Sequence, residues 1–143
     1  MLKRVVLILV LVSFMYASSS EGVGIVKKLS GDVYAVRSSK NVRLKKGDVI
    51  KEGDTLMTKE NGTVGVIFDD GTLLSLGKNS LLSVNKYLFK PSQNRYDIDL
   101  DMKKGLAGFE SGKIGKLAPK SVKFRVPQGI VGIRGTKFFV EIR

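Results

Sequence analysis

The amino-acid sequence predicts an all-β domain, either a short β-solenoid-like roll or a sandwich of many short strands, preceded by a cleaved signal peptide. The chain has 143 residues, about the size of one domain. It is 43% hydrophobic and 27% charged, which is enough for an apolar core and unlike a disordered chain. From Glu21 onward, glycine recurs between short β-branched segments, a spacing typical of all-β folds.

The first 19 residues have the three parts of a secretory signal peptide. A basic pair precedes the apolar run 5–12, and small residues follow it. The alternative is a retained membrane anchor, but the run is shorter than the ~20 residues of a spanning helix. We expect cleavage after Ala17 or Ser19, which leaves the domain 20–143 in the periplasm or secreted, without stable membrane insertion.

The chain contains no His and no Cys, and this excludes whole classes of sites. Zinc sites built from imidazole or thiolate, Ser-His-Asp triads, Cys nucleophiles, haem held by these ligands and disulfides are all ruled out. We predict no cofactor, no metal and no catalysis.

The net charge of +12 would suit nucleic acid or an anionic membrane surface. Export removes nucleic acid as a partner, so the charge better matches anionic lipid headgroups, cell-wall polymers or an acidic protein face. The candidate binding residues are Arg43, Lys45, Lys46, Lys103 and Lys104. The alternative is that these side chains belong to a mixed, solvated surface.

Alternation and turn signals predict the strands. The predicted strands cover residues 24–29, 32–37, 63–68, 73–76, 81–88, 95–102, 106–109, 112–117, 122–126, 130–133 and 137–142. Residues 90–94 form the clearest loop, and the best helical candidate is a single turn at 102–106. The strand 32–37 is apolar on both faces, which predicts that both faces are covered.

Acidic residues occur in two patterns along the chain. Asp69 and Asp70 could serve acid–base chemistry or a cation site, but we favour turn formers, because Gly71 completes a hairpin signal. On the strand 95–102, Asp97 and its two alternate neighbours favour a solvated face, since calcium ligands usually come from a bending loop.

A six-residue pattern occurs twice in succession. Each copy has an apolar residue, a basic residue and a polar residue, then Gly-Asp and a β-branched residue. The Gly-Asp pairs are Gly47-Asp48 and Gly53-Asp54. Such an echo indicates either a solenoid with a turn at each Gly-Asp or paired turns in a β-rich roll.

Several motifs, taken in order, resemble a known family. They lie at 31–33, 44–48, 53–58 and 68–80, and a closing block at 126–140 contains Val-Gly-Ile-Arg-Gly-Thr-Lys-Phe. Together they resemble the FecR domain over about residues 24–142, although Ile133 stands where that family usually has Val.

The resemblance implies an extracytoplasmic protein-recognition module without catalysis. In the regulator that gives the family its name, the domain relays a signal from an outer-membrane receptor towards a sigma factor. No spanning helix is predicted inside this domain, so we expect it to act by non-covalent binding alone. The expected partner is an envelope protein, such as the periplasmic part of a membrane sensor, and an unpaired edge strand would also allow a homodimer.

Two other interpretations of the function stay open. A cell-wall or glycan-binding protein could stack sugars on Tyr34, Tyr87 and Tyr96. An enzyme that uses the Asp residues is the third interpretation.

In the closing block, Arg134 has apolar neighbours, so its guanidinium must find acceptors in or beside the core. It is either a ligand clamp or a staple to an earlier Gly-Asp turn, and we favour the staple, with Asp48 or Asp54 as its partner. Gly135 allows positive φ or a close backbone approach, and Thr136 belongs to the same structural motif.

Overall fold

The structure is a computed structural model that describes residues 22–133 and 137–143. The predicted signal peptide and the motif residues Arg134, Gly135 and Thr136 lie outside the described residues.

The described residues form an all-β fold, which confirms the predicted class. The strands are β1 (Gly22–Ser30), β2 (Val33–Arg37), β3 (Lys40–Arg43), β4 (Val49–Lys51), β5 (Thr55–Thr58), β6 (Thr63–Phe68), β7 (Leu73–Leu76), β8 (Leu81–Lys90), β9 (Arg95–Glu110), β10 (Val122–Val126), β11 (Gly129–Val131) and β12 (Lys137–Ile142). The helix α1 (Ile114–Leu117) has four residues, and Pro91–Gln93 and Pro119–Ser121 are 3₁₀ turns.

The twelve strands form one sheet that curls on itself into a half-barrel. Its main path runs β3-β2-β5-β8-β9-β7-β6-β1-β4, while β10 and β12 also pair with β9, and β11 pairs with β10. We call β3, β2, β5, β8, the first part of β9, β10 and β11 the front half. The back half consists of β4, β1, β6, β7, the last part of β9, and β12.

Strand β9 belongs to both halves because it bends at Gly105. Residues 95–104 pair with β8, and residues 105–110 pair with β12. Gly105 has a φ of +99°, and a Cβ at this position would overlap the Ser80 side chain. The sequence predicted two strands with a helical turn at 102–106, and this was wrong: glycine lets the strand turn the corner without ending.

The core fills the space between the two halves. Alternate residues point inward, so that Leu56, Leu82 and Leu100 of the front half and Val66 and Leu74 of the back half are all buried. Three phenylalanines close one end of this core, with ring centroids 5.2 Å apart for Phe109–Phe138 and for Phe124–Phe138.

Two further predictions fail at the ends of strands. Residues 112–117 form a turn and α1 instead of a strand, because the Lys113 and Ile114 N–H groups donate to Asp70 and hold the segment across the end of the core. Strand β2 is covered on its inner face only, since Tyr34 and Val36 are half-buried.

The two Gly-Asp repeats form equivalent corners between the halves. The glycine before each Asp has a φ of +92° or +90°. Asp48 Oδ2 accepts the Lys45 N–H at 2.8 Å, and Asp54 Oδ2 accepts the Lys51 N–H at 2.9 Å. Each Asp therefore closes its own turn from the side chain.

Each corner also docks on a β-bulge of a neighbouring strand. Val26 N–H donates to Asp48 O at 2.9 Å, and Val84 N–H donates to Asp54 O at 2.8 Å. The pairing register shifts directly after both valines. Strand β1 pairs with β4 and β6 in the same way as β8 pairs with β5 and β9. The repeated sequence pattern therefore corresponds to paired corners of a β roll.

The β2–β3 hairpin turns at Ser38 and Ser39, whose φ values are +51° and +63°. A two-residue turn with positive φ at both positions favours Asn-Gly. Ser38→Asn combined with Ser39→Gly is therefore expected to raise the free energy of unfolding by about 1 kcal/mol, by relieving left-handed strain. Urea denaturation measures this change, and a decrease in stability would contradict the turn assignment.

Candidate binding site

The structure separates the five candidate binding residues into two groups. Arg43 lies on β3, and Lys45 and Lys46 follow at the first corner. Lys103 and Lys104 lie on β9, four strand steps away, which is roughly 19 Å at the ~4.8 Å spacing of strands.

A cross-strand row on the outer face of the front half connects the two groups. The register pairs Arg43 with Tyr34, Tyr34 with Met57, Met57 with Leu81, and Leu81 with Lys104. The row is thus apolar in the middle and basic at both ends.

Strand β3 is a free edge of the sheet that the described residues form, and all four of its residues are exposed. Leu44 N–H donates to Val33 O at 2.9 Å, which fixes the alternation of the ladder. In an antiparallel ladder every second residue forms backbone hydrogen bonds to the neighbouring strand. The backbone groups of Lys40 and Val42 are therefore bonded to β2, whereas those of Asn41 and Arg43 point away from the sheet. These groups form an unpaired template for another strand.

The β3 edge is strongly basic. Residues 33–47 contain five basic residues and no acidic residue. Among the described residues, no carboxylate lies within 4.0 Å of Lys40, Lys45 or Lys46. We call Lys40, Arg43, Lys45 and Lys46 the edge patch.

Arg43 holds the outer face of the edge patch in place. Its guanidinium Nη2 lies 2.6 Å from Asp32 Oδ1, and this hydrogen bond raises the pKa of Arg43. The guanidinium also lies 5.8 Å from the Tyr34 ring centroid, while Lys59 Nζ lies 6.0 Å from the same centroid. Tyr34 is therefore the aromatic centre of a cationic surface.

Arg37 closes the curled sheet from the inside, and the sequence did not reveal this role. Its Nε and Nη2 donate to Asp54 Oδ1 and Oδ2 at 2.8 and 2.7 Å, and Nη2 also donates to Val49 O at 3.2 Å. Hydrogen bonding to Asp54 raises the pKa of Arg37. The Asp54 carboxylate, one of the two partners predicted for Arg134, thus already binds a guanidinium.

Asp70 is a buried structural residue. It is 2% exposed and accepts hydrogen bonds from Tyr87 Oη at 2.6 Å, Thr72 Oγ1 at 2.8 Å, and the Thr72 and Ile114 N–H groups at 3.2 Å each. Asp69 and Gly71 lie beside it in the hairpin, and Gly71 has a φ of +86°. The Asp70 carboxylate is enclosed by donors and is not open to a substrate.

Tyr87 cannot stack on a sugar, contrary to the glycan interpretation. Its side chain is 4% exposed, and its ring stacks on Phe68 with centroids 4.2 Å apart. Desolvation by burial, followed by the charge of Asp70, strongly raises the pKa of Tyr87. Tyr96 is half-buried and its ring packs 5.7 Å from that of Phe89, so Tyr34 is the most suitable of the three tyrosines.

Each aspartate on the outer face of β9 has its own cation. The ion pairs are Lys86–Asp97 at 3.1 Å, Arg125–Asp99 at 2.9 Å and Lys103–Asp101 at 2.8 Å. Hydrogen bonding to Arg125 lowers the pKa of Asp99. No group of three potential metal ligands occurs within the part of the chain that the structure describes. Lys103, a candidate binding residue, is thus engaged within the molecule.

A shallow apolar depression of about 470 Å³ lies on the outer side of the back half. Ser75, Gly108 and Leu106 line it, and Phe139, which is 75% exposed, stands at its rim. The lining contains one titratable side chain, Glu141. This chemistry suits contact with an apolar surface.

Comparison with known proteins identifies the family. The family model described as FecR protein matches residues 54–143, from the second corner through β12, so β1–β4 lie outside the match. No curated protein and no solved structure matches the chain significantly. Across residues 22–133 and 137–143, no helix has the length and apolar character needed to cross a membrane. FecR domains are generally periplasmic domains of sensing and signal transduction in a regulatory, non-enzymatic family. This chain belongs to the FecR family.

Proposed function

We propose that the protein is an extracytoplasmic, non-catalytic sensory-relay module that binds an acidic, extended segment of an envelope protein along β3. The membership of the FecR family supports the relay role. The single observation that carries the binding mode is the free, basic edge of the sheet at β3.

Strand addition explains how the edge would recognise its partner. The open backbone groups of Asn41 and Arg43 supply hydrogen bonds, and Val42, which is 37% exposed, supplies an apolar contact. The edge patch selects for carboxylates on the incoming segment and speeds its association at low salt. Such recognition requires no catalytic group.

The proposed setting is the periplasm, with a signal peptide at 1–19 and a FecR-like domain over 20–143. The proposed partner is the periplasmic part of a membrane sensor, and nucleic acid is not a partner. Arg134, Gly135 and Thr136 are proposed as structural residues of the closing motif.

Site-specific photo-crosslinking in cells tests this binding mode. A photoreactive side chain at Asn41 is expected to give an adduct with an envelope protein, whereas one at the exposed loop residue Asn94 gives none. Lys45→Glu combined with Lys46→Glu should abolish the Asn41 adduct. Equal adducts at both positions would overturn the proposal.

A proline at Asn41 gives a second, independent readout. The N–H of Asn41 points away from β2, so Asn41→Pro preserves the ladder and blocks strand addition. The variant should fold normally and lose the partner. Retention on purified peptidoglycan that survives Asn41→Pro and is lost with Tyr34→Ala would instead support a cell-wall or glycan-binding protein.

A further inference from the structure

A second basic region lies at the other end of the front half. Residues 111–140 contain seven basic residues and no acidic residue. Lys113 directly precedes α1, Lys116 lies in its last turn, and Lys120 follows in the 3₁₀ turn. All three side chains are exposed, and no carboxylate of the described residues lies within 4.0 Å of them.

Two large apolar side chains are exposed on the elements that precede and follow the 3₁₀ turn, one on α1 and one on β11. Leu117 directly follows Lys116 and is 54% exposed, and Ile130 on β11 is 57% exposed. A surface depression of about 380 Å³ lies between the 3₁₀ turn and the residues that follow β11, because Lys120 and Ile133 both line it. We call Lys113, Lys116, Lys120, Leu117 and Ile130 the crossover patch.

We propose that the crossover patch binds the surface of an anionic lipid bilayer. Uncompensated lysines are attracted to negative headgroups, and apolar side chains among them enter the headgroup and acyl boundary. An acidic protein face would match the lysines but would leave the tips of Leu117 and Ile130 without an apolar environment. The combination of free cations with exposed apolar tips therefore fits a bilayer best.

The position of the crossover patch is compatible with binding at β3. Strand β3 and strand β11 are the two outer strands of the front half, six strand steps apart. At ~4.8 Å per step this is roughly 29 Å along the curled sheet, so we expect a bilayer at one end to leave the edge patch accessible to a protein partner. This inference goes beyond the function proposed above and does not depend on it.

Tryptophan fluorescence tests the inference directly, because the chain has no Trp of its own. In Leu117→Trp, the emission should shift to the blue with vesicles of phosphatidylcholine containing phosphatidylglycerol, and stay unchanged with phosphatidylcholine alone. High salt should reverse the shift. Val42→Trp, on β3 beside the edge patch, is the matched reporter that should not shift.

Charge removal tests the electrostatic part in a sedimentation assay with the same vesicles. Lys113→Gln, Lys116→Gln and Lys120→Gln together should lower the partition coefficient about a hundredfold, or about fivefold per lysine. The control removes the same charge from the edge patch, through Lys40→Gln, Lys45→Gln and Lys46→Gln, and should leave partitioning nearly unchanged. Circular dichroism verifies the fold of both triple variants.

Three results would overturn the inference. The first is an equal loss of vesicle partitioning in both triple variants. The second is vesicle binding by Leu117→Trp without a shift of its fluorescence. The third is binding to polyglutamate that is as strong as binding to vesicles and is unchanged when Leu117→Ser and Ile130→Ser are combined. Asn41→Pro separates the two proposals, since it should abolish capture of the envelope partner while vesicle binding persists.

Discussion

Asp54→Asn is expected to lower the free energy of unfolding by about 2 kcal/mol, the cost of removing the charged acceptor from an ion pair that is buried on the Asp54 side and partly exposed on the Arg37 side. Asp54 is 1% exposed, and both its oxygens bind Arg37. The asparagine amide would turn two N–H donors towards a guanidinium that has only donors. The decrease in the free energy of unfolding should therefore be larger than for an ordinary substitution in a turn. Urea denaturation measures this decrease.

The repeated corner supplies the matched control. Asp48 makes the same turn with Lys45, but no guanidinium binds its carboxylate among the described residues. Asp48→Asn keeps an acceptor for the Lys45 N–H and should cost under about 1 kcal/mol. Equal losses at the two corners would show that Arg37 does not stabilise the closed sheet.

Asp70→Ala is expected to lower the free energy of unfolding by about 3–5 kcal/mol, because it leaves several buried donors without an acceptor at once. The Tyr87 hydroxyl, the Thr72 hydroxyl and the Ile114 N–H would all lose their partner. Thermal and urea denaturation both measure the loss. The segment 112–117 should also detach from the core, which limited proteolysis would detect.

Two further variants separate burial from hydrogen bonding at this site. Tyr87→Phe removes one donor and keeps the ring on Phe68, so it should cost about 1–2 kcal/mol. Asp69→Ala, at the adjacent carboxylate, is the positional control and should cost less than Asp70→Ala. If Asp69→Ala were the more damaging variant, the assignment of Asp70 as the central acceptor would be wrong.

The sequence pattern identifies strands where alternation is long and their ends carry turn residues. Strands β6, β7, β10 and β12 begin and end as predicted, since each alternates between a core and an outer face. The strands β3, β4 and β5 were missed because each has only three or four residues, too few to show a periodicity without a hairpin signal such as the one before β7. Gly105 was interpreted as a break because glycine often separates elements of secondary structure, whereas inside this strand it marks a bend at a corner of the sheet.

The side-chain contacts of the candidate site could not be predicted from the sequence either, because they join residues that are far apart along the chain. Asp54 and Arg37 are 17 residues apart, and only the curl of the sheet brings them together. The glycan interpretation placed Tyr87 on the surface, where it could stack on a sugar, because nothing in the sequence reveals the bulge after Val84. At that bulge, Asn85 and Lys86 are both exposed, and the following residue turns inward.

Strand β9 determines how the molecule responds to force. It is paired with β8 and β10 in the front half and with β7 and β12 in the back half, so its backbone joins the two halves. Backbone amides of both halves should exchange with solvent through one shared opening rather than two separate ones. A pull on β3 would cross the β2, β5 and β8 ladders to β9 and would then pass along the β9 backbone, which continues from the front half into the back half.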